Sequence, residues 1–192
     1  MKVHSQTDVG LVRTLNEDAC RTGLLGENGA WAVVCDGMGG ANGGEIASET
    51  AVKSIEEQIL ASYEEDFKSE EMKLMLSTLI FHANSAVYDM AQENESLKGM
   101  GTTIVVAIVL DNVAHIAHAG DSRAYLLHNG NIMQITTDHS MVQELIKNGD
   151  LTVEQAKVHP QKNIITRALG VNPVVEIDYE KVLKKERFTI RI

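Results

Sequence analysis

Residues Cys35 to Glu45 read CDGMGGANGGE and follow the apolar run AWAVVC, so Asp36 is the last residue a strand delivers before the chain turns glycine-rich. Glycine loops after strands commonly cradle phosphate, and a bare carboxylate there repels it. The known phosphate loops do not fit. A dinucleotide fingerprint begun at Gly37 and Gly39 reaches Asn42 where it needs glycine, and a P-loop begun at Gly39 reaches Gly44 and then Glu45 where it needs lysine. A plain strand-to-helix turn remains an alternative. Other acids stand in comparable places: Glu17 and Asp18 adjoin in RTLNEDAC, and Asp121 ends the apolar strand VAHIAHAGD. Adjacent residues on a strand face opposite ways, so of Glu17 and Asp18 one is expected to bind and the other to support. Carboxylates gathered with backbone carbonyls and water make a hard-oxygen environment suited to Mg²⁺ or Mn²⁺ rather than zinc. With a cation between them, acid and phosphate no longer conflict.

The elements that must present these residues follow from periodicity. VHSQTDVG reads as extended, a polar turn runs through Arg13 and Asn16, and AWAVVC is a strand. In the next segment Ala47, Ala51, Ile55 and Ile59 recur every fourth residue, one face of a helix; Met72, Leu76, Leu79, Ala83, Val87 and Met90 mark a second helix. From Gly101 strands return as TTIVVAIVL, VAHIAHAG and RAYLLHNGNIMQIT, with tight turns at Asp111-Asn112 and Asn129-Gly130. HSMVQELIKNG and TVEQAKVH read as helices, and a strand-like region runs from Val174 to the end. Strands, helices, then strands predict α+β, with helices packed on antiparallel sheets.

Composition narrows the function. At 192 residues one domain is expected, and 44% hydrophobic with 23% charged residues is the balance of a globular protein. A net charge of -10 argues against nucleic acid and anionic membranes as partners and is compatible with cations. Two cysteines, Cys20 and Cys35, are too few for a disulfide scaffold and are read as core residues; a reducing, cytoplasmic address is expected. The longest apolar run, Ile104 to Leu110, is too short to span a bilayer, and a monomer is expected.

Six motifs in order carry a resemblance: R-T-L-N-E-D (Arg13 to Asp18), V-C-D-G-M-G-G (Val34 to Gly40), G-T-T (Gly101 to Thr103), A-G-D-S-R (Ala119 to Arg123), T-x-D-H-S (Thr136 to Ser140) and H-P-x-x-N-x-x-T-R-A-L-G (His159 to Gly170). Together they resemble the PP2C-type, metal-dependent serine/threonine protein phosphatases in their bacterial form. The resemblance implies an αββα sandwich of two antiparallel sheets flanked by helix pairs, as a single domain over residues 1–192 with a flap near 145–170. It implies Asp36 as the bridge between two Mn²⁺ or Mg²⁺ ions, the Gly37 carbonyl and Glu17 as further ligands, Asp18 acting through water, and Asp121 on a third ion. Arg13 would grip the substrate phosphate. The implied reaction is hydrolysis of phosphoserine or phosphothreonine in proteins by a water bridging the metals, opposing a serine/threonine kinase.

The sequence also departs from that pattern. A second Asp-Gly and a terminal Asp-Asn, which complete the first metal site in the family, have no counterpart, so a domain incomplete at its C-terminus is expected, with an unpaired sheet edge. That raises a second reading, a regulatory relative that holds phosphoprotein without efficient turnover. Met38 and Ala41 stand where relatives place a histidine that could act as general acid; His139 is read as structural, and His115 and His118 as packing residues.

Overall fold

The run IVVAIVL forms β4 (Ile104–Leu110), and it can be apolar throughout because apolar neighbours lie on both of its faces. Ile104, Val106 and Ile108 enter the main core, while Val105 and Ala107 enter a smaller one with Ile116 and Ala124. Alternation of side chains along one strand thus feeds two cores. The computed structural model describes residues 1–39, 43–62, 71–110 and 113–183, and the backbone of 189–191.

β1 (Asp18–Leu25), β2 (Gly29–Met38), β4, β5 (Val113–Ala119) and β8 (Asp178–Leu183) lie in that order in one antiparallel sheet, and short β3 (Gly101–Thr102) pairs with the end of β2. β6 (Tyr125–His128), β7 (Asn131–Gln134) and β9 (Thr189–Arg191) form a second antiparallel sheet, ordered β7-β6-β9. The β6–β7 turn uses Asn129 and Gly130, with φ of 49° and 76°, the left-handed pair that a two-residue hairpin requires. The Asp111-Asn112 turn lies outside the described residues.

Helices α1 (Gly43–Ser62) and α2 (Met72–Glu93) cover one face of the larger sheet. Ala47, Ala51, Ile55 and Ile59 are fully buried, as are Leu76, Ala83 and Val87 on α2; Met90, expected on the same stripe, is 37% exposed. α3 (Met141–Asn148) starts at Ser140, whose Oγ accepts from Gln143 N–H, and stops at Gly149 in the left-handed conformation. α4 (Val153–Lys157) carries a capping box between Thr152 and Gln155. The α+β class with two antiparallel sheets and helices packed on them is as the sequence implies.

The extended reading of VHSQTDVG is not. Residues 3–10 form no strand and are exposed, whereas the first strand is DACRTGLL, whose mixed polarity hides it. It forms because its whole length pairs with β2, from Asp18 opposite Asp36 to Leu25 opposite Gly29. Pairing, not propensity, makes this strand.

The α1–α2 layer depends on apolar burial, which sets a contrast within one helix. Leu76→Ala should lower the unfolding free energy by about 2–5 kcal/mol in urea titrations. Leu74→Ala, at a position 71% exposed, should change it by less than about 0.5 kcal/mol.

Candidate metal and phosphate site

Cross-strand register decides where the acids meet. Asp18 and Asp36 are direct partners in the β1–β2 ladder, so their side chains share a face. The Val33 and Cys35 side chains enter the helix-covered core, and alternation therefore puts Asp36 on the opposite face of the sheet. The row continues across the sheet: Thr103 N–H donates to the Asp36 carbonyl at 2.9 Å, and beyond Thr103 stands Gly120, next to Asp121. Strand ends thus deliver Asp18, Asp36 and Asp121 to one edge.

Asp36 is fixed by its backbone rather than its side chain. Thr103 Oγ1 accepts from its N–H at 3.0 Å, and Thr102 Oγ1 donates to its carbonyl at 3.0 Å, beside the Thr103 N–H bond. Both threonines are buried. Thr103 Oγ1 also lies 2.7 Å from Ser122 Oγ, which ties the G-T-T turn to the A-G-D-S-R turn. Gly120 adopts φ +113°, and a Cβ there would lie 2.6 Å from the Thr103 side chain, so glycine alone admits this approach. These roles of Thr102, Thr103 and Ser122 are not evident from composition or period, although the motifs that contain them are conspicuous.

Glu17 sits just before β1. Its carbonyl accepts Gly37 N–H at 2.9 Å, and a Cβ on Gly37 or Gly44 would overlap the other glycine and Glu17. The glycines of the loop therefore bring the start of α1, the end of β2 and Glu17 into contact. Gly40, Ala41 and Asn42, the middle of that loop, lie outside the described residues. Arg13 Nη1 donates to Glu17 Oε2 at 2.5 Å, with Arg13 well exposed. The adjacent acids have separate partners: Asp18 faces Asp36, while Glu17 pairs with Arg13.

The charges show how crowded the edge is. The Asp36 side chain opens to solvent, yet partial desolvation against the sheet, then the neighbouring Asp18 and Asp121, push its carboxyl up to about 6, with Arg13 pulling the other way. Burial also raises Asp121, and Asp138 adds to it. Asp138 is itself held by Arg123 in a two-pronged pair at 2.8 and 2.6 Å. Asp36, Asp18 and Asp121 therefore share one electrostatic neighbourhood in which negative charge exceeds positive. Cys35, behind them, is fully buried with its thiol pushed up by that burial, and both cysteines are free.

A second polar cluster lies one row further along the same sheet face, where His118 on β5 is the ladder partner of Asp178 on β8. His118 and His139 stack at 4.6 Å, nearly parallel. Ligand-type atoms of His118, His139 and Asp178 lie within 4.8 Å of one another, a tighter grouping than the site acids make. Arg167 Nη1, however, is 2.8 Å from Asp178 Oδ1 and 3.1 Å from His139 Nε2. A guanidinium thus contacts two of the three members, while His118 Nδ1 is buried with no hydrogen-bond partner among the described residues. Bonds from Arg167 and His139 outweigh burial and hold the Asp178 carboxyl low. His115 takes no part: its Nδ1 lies 2.6 Å from Tyr179 Oη, and burial lowers it to about 4.

The segment from 145 to 170 returns to this edge. Thr102 and Leu169 exchange backbone bonds at 3.1 and 2.8 Å, and Thr166 N–H donates to the His139 carbonyl. Fully buried Asn84 on α2 secures the next turn, accepting from Gly170 N–H and donating to the Asn172 and Pro173 carbonyls. No signal in the periodicity marked Asn84 out from its apolar neighbours.

Comparison with known proteins agrees with the fold and the motifs. Residues 12–175 match the protein phosphatase 2C family. The serine/threonine phosphatase stp of Listeria welshimeri is 39% identical over 181 residues, covering 93% of this chain and 70% of the relative. The protein phosphatase PhpP of Streptococcus pneumoniae is 36% identical, covering 95% and 73%. Among solved structures, the serine/threonine phosphatase Stp1 of Staphylococcus aureus superposes with a TM-score of 0.87 at 38% identity, over 94% of this chain and 70% of that one. The catalytic domain of the phosphatase PstP, in complex with two manganese ions, superposes with a TM-score of 0.78 at 31% identity, over 96% and 73%. On its sequence and its fold alike, this chain belongs to the protein phosphatase 2C family.

Proposed function

We propose that the chain is a phosphoprotein phosphatase that hydrolyses phosphoserine and phosphothreonine with Mn²⁺ or Mg²⁺ held at the edge formed by Asp18, Asp36 and Asp121. The observation that carries this reading is the facing pair Asp18 and Asp36, with the solvent-reaching Asp36 carboxyl raised to about 6 by partial desolvation and by its acidic neighbours. Like charges opposite each other on a ladder destabilise a sheet, and a divalent cation reverses the sign of that interaction. The donors are hard oxygens, the set Mg²⁺ and Mn²⁺ take. The residues present therefore fit the ions.

In this reading Asp36, the Gly37 carbonyl and Glu17 hold two ions, Asp18 supports them from the opposite strand, and Asp121 serves a third. Bound divalent cations supply an acidified water and offset charge on the phosphoryl group. Arg13 contributes positive charge at the mouth: its pair with Glu17 is exposed and hence weak, so the guanidinium can turn to a phosphate. Residues 145–170 act as a flap over the site, anchored beside Asp36 through Thr102 and Leu169. The chain acts on proteins phosphorylated by a serine/threonine kinase. Among the described residues no helix is long and apolar enough to cross a membrane.

Activity and its dependence on Asp36 form the first test. The chain should hydrolyse a phosphothreonine peptide only with Mn²⁺ or Mg²⁺, and Asp36→Asn should lower kcat/KM by about 100-fold or more, roughly 2.7 kcal/mol of transition-state stabilisation. Equal rates for the two proteins would end the enzyme reading. Arg13→Ala should act chiefly on KM, raising it by about tenfold, in keeping with one lost charge-assisted bond.

The raised Asp36 carboxyl gives a second test with a defined sign. A carboxyl whose folded value is about 6, against about 4 unfolded, stabilises the fold most below pH 4, and that contribution is lost as pH rises through 6. Between pH 4 and 7 the metal-free native chain should therefore lose stability relative to Asp36→Asn, whose melting temperature should be the higher at pH 7. Mn²⁺ binds the ionised form and should raise the native melting temperature more at pH 7.5 than at pH 5, and raise that of Asp36→Asn little at either.

A further inference from the structure

His139 makes two contacts with one residue. Its backbone N–H donates to the Gly120 carbonyl at 2.9 Å, and its Nδ1 accepts the Gly120 N–H at 3.1 Å. Gly120 immediately precedes Asp121 and is held at φ +113°. Both ends of the Gly120 peptide environment are thus set by one histidine.

The ring itself is locked in turn. Since Nδ1 accepts from a backbone donor, the neutral ring carries its proton on Nε2, which lies 3.3 Å from Asp178 Oδ2; Arg167 Nη1, 3.1 Å from Nε2, is then a close neighbour bonded to Asp178 rather than a donor to the ring. The stacked His118 closes one side of the ring, and its Nε2 bonds the Thr137 carbonyl at 2.9 Å. Burial lowers His139 and so favours the neutral form that this acceptor role needs. The His139 carbonyl then takes the Thr166 N–H, which joins the same residue to the far end of the 145–170 segment.

We infer that His139 is a positioning residue: through Nδ1 it aims the Gly120–Asp121 turn so that the Asp121 carboxylate can meet a divalent cation. The inference rests on the reading of Asp121 as a metal ligand given above. Asparagine can present its side-chain oxygen where Nδ1 lies, whereas glutamine reaches the Nε2 position and leaves Gly120 N–H without its acceptor. The two substitutions therefore separate aiming from mere filling of space.

The experiment titrates Mn²⁺ into the metal-free 192-residue chain by calorimetry at neutral pH, which needs no turnover and so stands apart from the activity test. Asp121→Asn defines the Asp121-dependent binding step. His139→Gln should weaken that step by about tenfold or more, the usual effect of losing a residue that orients a ligand. His139→Asn should stay within about threefold of the native chain, and Asp178→Asn, which leaves the Nδ1 contact in place, should do the same. Native binding by His139→Gln, or equal losses in His139→Gln and His139→Asn, overturns the inference. An Asp121→Asn isotherm identical to the native one removes Asp121 from metal binding and the inference with it. Should His139→Gln not fold, ¹⁵N NMR of the native chain decides: a bare Nδ1 and a Gly120 amide that shifts on Mg²⁺ binding are expected, and a proton on Nδ1 overturns the proposal.

Discussion

Two carboxylates directly opposite each other on neighbouring strands repel, and the ladder between β1 and β2 gives Asp18 and Asp36 no route apart. Moving either residue along its strand would put every other side chain of that strand on the wrong face, exposing Ala19, Val33 and Cys35 to water. The core on the helix side therefore enforces an electrostatic conflict on the other side. Thr102 and Thr103 add to this by holding the Asp36 backbone from both flanks. A site of this kind is preorganised for a cation because the cost of bringing the acids together is already met by packing elsewhere.

Rigidity is not uniform around that point. Asp36 and Asp121 are anchored on strand ends by buried threonines and by Gly120, whereas Arg13 belongs to an exposed stretch tied down by a surface pair with Glu17. Such a pair contributes little to stability and exchanges readily for another anion. In the proposed reading this divides the work: the sheet fixes the acids that would hold cations, and the loop carries the guanidinium that would follow a substrate.

The sequence showed some of this more readily than the rest. The apolar stripes of α1 and α2 were legible because each buries one continuous face. Asp36 and Asp121 were legible as acids at strand ends. β1 was not, because a strand stabilised by its neighbour needs no apolar pattern of its own. The facing of Asp18 and Asp36 depends on register across 18 residues, and the bond from His139 to Gly120 spans 19, distances over which periodicity says nothing. Motif resemblance supplied the order of these parts, and only the fold supplied their contacts.

The larger sheet solves the same electrostatic problem in two ways on one face. In one row, Cys20, Val34, Val105, His118 and Asp178 are ladder neighbours, and the acid at its end is matched by Arg167 and His139 from the chain itself. In the next row, Asp18 and Asp36 stand with Asp121 nearby, and the guanidiniums that act on them are engaged elsewhere, that of Arg13 with Glu17 and that of Arg123 with Asp138. A row that neutralises itself has little affinity left for an outside cation, while a row left in deficit has a strong one. The two rows differ in where the arginines stand.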